Sequence, residues 1–285
     1  MKKHNKAVST ILKLSLCTFV TLLFTRCGDS YLEDALVASQ LEDGNFFASQ
    51  EDAISALNAT YDHFHSGGYF KYHYISIGHM AGDTRQTDGT PQPAEQAYPE
   101  FRFNAGTGHL IPGVWRACYL GIQRANNSIT GITGMDDVLF SNPELKQQYI
   151  AEARFLRAFY YFELVRLYGG VPLITEVFDG DITNETAIFP ARNSVEEVYA
   201  QIESDFMVGA NNLPNSYSDA DIGRPTAGAA QAFLGKAYLY QKKYAQARDA
   251  FKSIIDGDFA TYVLTENFGE TFTLAGENYA ESVFE

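Results

Sequence analysis

Cations are scarce in this chain: 21 Lys and Arg stand against 35 Asp and Glu. Five of those cations, Lys2, Lys3, Lys6, Lys13 and Arg26, fall within the first 26 residues, which hold no acid. Beyond that point the balance is 21 − 5 = 16 basic against 35 acidic residues, a net charge of −19. So acidic a chain argues against nucleic acid as a partner, because phosphate backbones are held by clustered Lys and Arg. Neutral ligands stay open. Tryptophan is almost missing, with Trp115 alone, and cysteine is limited to Cys17, Cys27 and Cys118. Nowhere is there a Gly-rich phosphate loop, a nucleophile elbow or an HExxH pair. Carboxylates are plentiful, but no two are singled out for glycoside chemistry, so the sequence reads as no enzyme and requires no cofactor.

Long apolar runs are also lacking. The stretch "ILKLSLCTFVTLLF" is broken by Lys13 and follows a basic start, which is a secretory signal pattern rather than a membrane span. Cys27 stands where that stretch ends, in "LLFTRCGDSYLED", and reads as a lipid-acceptor cysteine, although Arg26 occupies the place where a lipobox favours a small residue. Cys27 and Cys118 could bridge in a secreted chain. If Cys27 is acylated instead, Cys118 is a lone, buried thiol. The expected organisation is a signal peptide over 1–26, an acidic lipid-anchored tether over 27–45, and one folded domain over 46–285.

What is present is helical periodicity. "FFASQEDAISALNATYDHF" predicts a helix capped by Ser49, with Ile54, Leu57 and Tyr61 in helical phase. "GVWRACYLGIQRANNSITGI" puts Trp115, Tyr119, Ile122 and Ile129 on one face, which makes Trp115 a core residue. The run from "NPELKQQYIAEARF" to "EARFLRAFYYFELVRLYGGVPLIT" predicts a helix capped by Asn142, begun by Pro143 and ended at Gly169 or Gly170. It is apolar around most of its circumference and so belongs between neighbours. Ser194 caps a further helix with Val195, Val198, Ile202 and Phe206 on one stripe. In the last pair, Leu234, Gly235, Tyr238, Tyr244, Ala247 and Phe251 follow the tetratricopeptide pattern, which departs at Phe259 where a closing Pro would stand. Short strands are conceivable only at Tyr74–Ile77 and Tyr262–Leu264. The fold is mostly α, with helix pairs and long irregular loops.

Between Ser66 and Pro112 the periodicity is lost in a segment rich in Gly, Pro, Asp and Thr and studded with aromatics. A loop of this length inside a domain is usually functional. Sugar binding needs flat apolar faces and charged or amide groups that fork onto hydroxyls. The candidate contacts are Tyr72, Tyr74, Asp83, Arg85 and Tyr98. His63, His65, His73, His79 and Asp83 lie close in sequence, but no spacing completes a metal site.

"EARFLRAFYYFELVRLYGGVPLIT" closely resembles the hallmark helix of the SusD/RagB family of outer-membrane nutrient-binding lipoproteins. "CGDSYLED", "VWRACYLGIQRANNSI", "GRPTAGAAQAFLGKAYLYQKKYAQA" and "ESVFE" resemble the same family. The resemblance implies a helical fold with several tetratricopeptide units, a lipid anchor in the outer membrane and display outside the cell. It implies a non-enzymatic protein that caps a SusC-like TonB-dependent transporter and helps it capture oligosaccharides, or peptides in some members. A docking scaffold without a small ligand is the remaining alternative. Family members usually continue past the "ESVFE" point, so the chain is expected to be an N-terminal portion.

Overall fold

Among the described residues, six main α-helices and one short one carry the fold. The computed structural model describes residues 46–65, 110–178, 180 and 183–284. Helix α1 (Gln50–Tyr61) starts where Ser49 Oγ accepts from the Asp52 amide at 3.2 Å, while the Asp52 carboxylate accepts in return from the Ala48 amide and the Ser49 hydroxyl. Helix α2 (Leu110–Gly134) and helix α3 (Pro143–Tyr168) follow. Asn142 Oδ1 accepts from the Glu144 amide at 3.0 Å, and Pro143 occupies the first turn, where no backbone donor is needed. Gly169 ends α3 with φ 70° and ψ −139°, a positive-φ stop whose ψ is extended rather than left-handed helical. The short α4 (Glu185–Ile188) precedes α5 (Val195–Asn212), which opens with a full capping box between Ser194 and Glu197. Helices α6 (Ala227–Tyr240) and α7 (Tyr244–Ile255) close the series.

Residues Phe47–Glu285 form one compact unit in which α3 is the central element, packed against α1, α2 and α5, while α6 and α7 extend the stack from α5. Every residue of α3 from Ile150 to Val165 is buried except Arg154. Phe155 and Phe162 are fully enclosed, each contributing roughly 1.5–3 kcal/mol relative to exposure. Phe155 meets Phe206, Phe233 and Phe284 edge to face at centroid distances of 5.2–5.6 Å. The buried tyrosines keep their hydroxyls partnered, Tyr160 donating to Thr60 O at 2.8 Å and Tyr161 to Ile174 O at 2.9 Å. The aromatic run is core.

The α6–α7 pair is the tetratricopeptide-like unit. Gln241–Lys243 turn the chain, with Lys242 at φ 62°, and a Cβ on Gly235 would lie 2.7 Å from the Phe251 ring. That close approach is why glycine stands there. Among the described residues there is no strand. Tyr262–Leu264 is extended, but its backbone bond, from the Val263 amide to Ala280 O at 3.1 Å, is too little for a ladder, so the strand expected there is corrected. Tyr74–Ile77 lies outside the described residues. No helix among the described residues is long and apolar enough to cross a membrane.

Candidate binding groove

The groove is built on an extended wall that the helices hold by its carbonyls. After α3 the chain leaves helix and runs without regular structure from Val171 to about residue 178, and among the described residues no strand lies beside it to satisfy its backbone. Side chains of α2 and α3 do so instead. Tyr119 Oη donates to Pro172 O at 2.7 Å. Tyr161 Oη both donates to Ile174 O at 2.9 Å and accepts from the Ile174 amide at 2.6 Å. Asn126 Nδ2 donates to the same carbonyl at 3.0 Å, and Arg157 Nη1 reaches Thr175 O at 3.1 Å. Arg157 is itself fixed by a two-point ion pair with Asp205 of α5 and a 2.8 Å bond to Asn126 Oδ1. Both charges are buried, and both are fully used.

Between this wall, the outer face of α2 and the short α4 lies an open cavity of about 500 Å³. Trp115, Tyr119, Ile174, Phe178 and Ile188 supply apolar surface, while Arg116, Gln123 and Glu176 supply polar groups. A neighbouring cavity of about 470 Å³ shares Ile174, Glu176, Val177 and Phe178 and runs on to Asn184 and Pro190. Trp115 packs against Tyr119 at 5.0 Å and edge-on against Tyr168 at 5.1 Å, and the Arg192 guanidinium lies over its ring at 5.3 Å. It is half-buried rather than sealed in the core, because the 174–178 wall stands off from it and leaves the groove. Flat aromatic surface beside forked polar groups suits a sugar ring.

A second cluster surrounds a buried carboxylate. Glu152 accepts from Tyr61 Oη and from Arg224 Nη1 at 2.7 Å, and Arg224 also donates to Asp221 Oδ1 at 2.8 Å and Asn58 Oδ1 at 2.9 Å. Burial pushes the Glu152 carboxyl above the usual range against the opposing pull of Arg224 and Tyr61, and it pushes Tyr61 up as well. Cys118 is fully buried, and burial holds its thiol well above its ordinary value. Sequence pattern anticipated the buried Cys118 thiol and the helical phase of Tyr61, but not Glu152 or Arg224, since a carboxylate inside an apolar helix carries no periodic signal.

The sequence-predicted contacts Tyr72, Tyr74, Asp83, Arg85 and Tyr98 lie outside the described residues, as do Cys27, His73 and His79. Among the described residues no group of three or more His, Cys, Asp or Glu could hold a metal ion.

A family profile described as "Starch-binding associating with outer membrane" matches residues 101–239. A SusD-like protein of Formosa agariphila is 30% identical over 219 residues, which is 76% of this chain and 40% of the relative. The chain belongs to the SusD/RagB family. A SusD-like protein of Bacteroides ovatus is also 30% identical, over 80% of this chain and 39% of its own length. Among solved structures, a SusD superfamily protein of Bacteroides vulgatus superposes with a TM-score of 0.71 at 27% identity, covering 84% of this chain and 50% of that one. A laminarin-binding SusD-like protein superposes with a TM-score of 0.70 at 30% identity, covering 83% and 50%. The chain thus spans about two-fifths of the curated relatives' length and half that of the solved structures.

Proposed function

We propose that this SusD-family chain captures neutral oligosaccharides at the cell surface, without chemistry of its own, for delivery to a SusC-like TonB-dependent transporter. In this reading it is held to the outer membrane by acyl chains on Cys27, since two or more chains anchor stably where one does not. The observation that carries the reading is its likeness, at 30% identity and a TM-score of 0.70, to a protein that binds laminarin. The aromatic groove beside Trp115 and Tyr119 supports it, because pyranose C–H faces stack on such rings. Tyr72, Tyr74, Asp83, Arg85 and Tyr98 are the proposed ligand contacts in the segment that precedes α2. A net charge of −19 beyond residue 26 favours neutral glycans over acidic ones.

The test is calorimetric titration of the protein extracted from its native membrane with laminarin oligosaccharides and a panel of neutral glycans. Saturable binding to one of them, abolished in a folded Tyr72→Ala/Tyr74→Ala variant, is expected. Binding of peptides in place of every glycan would overturn glycan capture. Copurification of a large outer-membrane barrel protein in mild detergent tests the transporter part separately.

A further inference from the structure

A second concavity, of about 190 Å³, lies where the 215–226 connection meets segments 260–262 and 278–284. It has room for about six waters at the liquid's ~30 Å³ apiece, the scale of one sugar ring rather than a chain. It shares no lining residue with the Trp115 groove.

Its walls are built rather than incidental. Phe284 is inserted among Phe155, Phe159 and Phe233 at centroid distances of 5.2–6.2 Å, which pins the 278–284 stretch to the core. The Val263 amide donates to Ala280 O at 3.1 Å, and both the amide and hydroxyl of Thr265 donate to Glu281 Oε2 at 3.0 Å. Tyr262 lies over Gly228, where a Cβ would collide with its hydroxyl, and that hydroxyl stands 3.3 Å from Thr226 Oγ1. Asn278 sits on the wall at φ 54°, a left-handed conformation uncommon outside glycine and kept only where the surroundings impose it. Across from it Gly223, at φ 99°, leaves the space that faces the Asn278 amide.

The chemistry of the lining selects the ligand class. Arg224 is its single charged side chain among the described residues. Each of its three nitrogens donates to a neighbour, to Glu152, Asp221 and Asn58 at 2.7–2.9 Å, and Glu152 and Asp221 pair with its charge. An anion would meet a cation whose charge two carboxylates already offset. Tyr217, Tyr262 and Tyr279 line it with aromatic residues, and Asn215 and Asn278 are the amide side chains of its lining. We propose that this pocket is a subsite for one neutral polyhydroxylated ring, a monosaccharide or the terminal unit of a glycan. It rests on the glycan-capture reading and adds to it a second place of contact.

Amide-resolved NMR titration of the full chain with methyl β-glucoside, methyl α-mannoside and laminaribiose tests it. Saturable shifts at residues 215–217 and 278–282 are expected with at least one of the three. Asn278→Gly suits the positive φ and removes the amide, and Tyr279→Ala removes a partly exposed ring. Each is expected to weaken that binding by about tenfold, the loss of one contact worth roughly 1.4 kcal/mol. Shifts confined to the Trp115 groove, or undiminished binding in both variants, would overturn the subsite while leaving glycan capture standing. Failure of all three sugars together with the laminarin oligosaccharides would overturn both.

Discussion

Arg157 of α3 and Asp205 of α5 meet in a two-point ion pair, Nε to Oδ2 at 2.8 Å and Nη2 to Oδ1 at 2.9 Å, with both side chains out of solvent. The remaining donor, Nη1, holds Asn126 of α2 and the Thr175 carbonyl of the groove wall. One guanidinium therefore joins three helices and the wall. Replacing Asp205 by Asn leaves that cation uncompensated in the interior, and the expected loss is about 3–5 kcal/mol. Urea unfolding measures it. Arg157→Met combined with Asp205→Leu is expected to lose less than the single change, since the enclosed cation is then gone and Arg154, the other partner of Asp205, is one-third exposed to solvent (33%).

Tyr161→Phe isolates the groove wall from the core. The substitution keeps the ring but deletes the hydroxyl that bonds both the amide and the carbonyl of Ile174. A global loss of about 1–3 kcal/mol is expected, with the Ile174 amide exchanging hydrogen markedly faster than its neighbours in α3. An Ile174 amide as protected as in the parent would mean that the wall is held by its other bonds alone.

At Gly235 two tendencies oppose each other. In an exposed helix, alanine would gain about 1 kcal/mol over glycine. Here a Cβ would press on the Phe251 ring at 2.7 Å, so Gly235→Ala is expected to destabilise by roughly 1–3 kcal/mol. Adding Phe251→Leu should recover part of that loss in thermal melts.

Two carboxylates give opposite pH signatures. Burial raises Glu152, so the folded chain holds its proton to higher pH than the unfolded one. Its favourable contribution is present at low pH and is lost as pH rises from the ordinary glutamate value through the raised folded value. Glu197 is held below its ordinary value by the Ser194 amide and hydroxyl, so its contribution is present at higher pH and lost as pH falls through its folded value. Urea midpoints between about pH 3 and pH 7 should show parent stability falling with pH relative to Glu152→Gln, and rising relative to Glu197→Gln.

Cys118 is expected to resist thiol reagents in the native protein. It is fully enclosed between α2 and α3, and burial disfavours its thiolate, the reactive form. Peptide mapping after alkylation should find it modified only once denaturant is present.

The helix starts were legible in the sequence because capping is local chemistry. Ser49, Asn142 with Pro143, and Ser194 each satisfy backbone donors within three residues of themselves. The α6–α7 pair was legible for a similar reason: a short link and a fixed spacing bring Gly235 to Phe251 whatever else the chain does. The all-round apolar character of α3 likewise announced a central helix. What the pattern could not say is that Glu152, Glu163 and Arg157 would be buried inside that helix, because a charge on a helical wheel reads as solvent-facing until its partner is known. For Arg157 and Glu152 those partners arrive from far along the chain, Asp205 from 48 residues away and Arg224 from 72, while Glu163 pairs with Arg166 one turn on. Trp115 is the converse case. Its phase on α2 assigned it to the core, but the 172–178 wall, positioned by hydrogen bonds from Tyr119, Asn126, Arg157 and Tyr161, leaves its edge open to a groove. Helix identity, caps and the small-residue contact within one helix pair follow from interactions over a few residues, and the sequence by itself determined them. Which charges are desolvated, and where a cavity opens, depend on groups brought together by packing, and only the tertiary structure decided those.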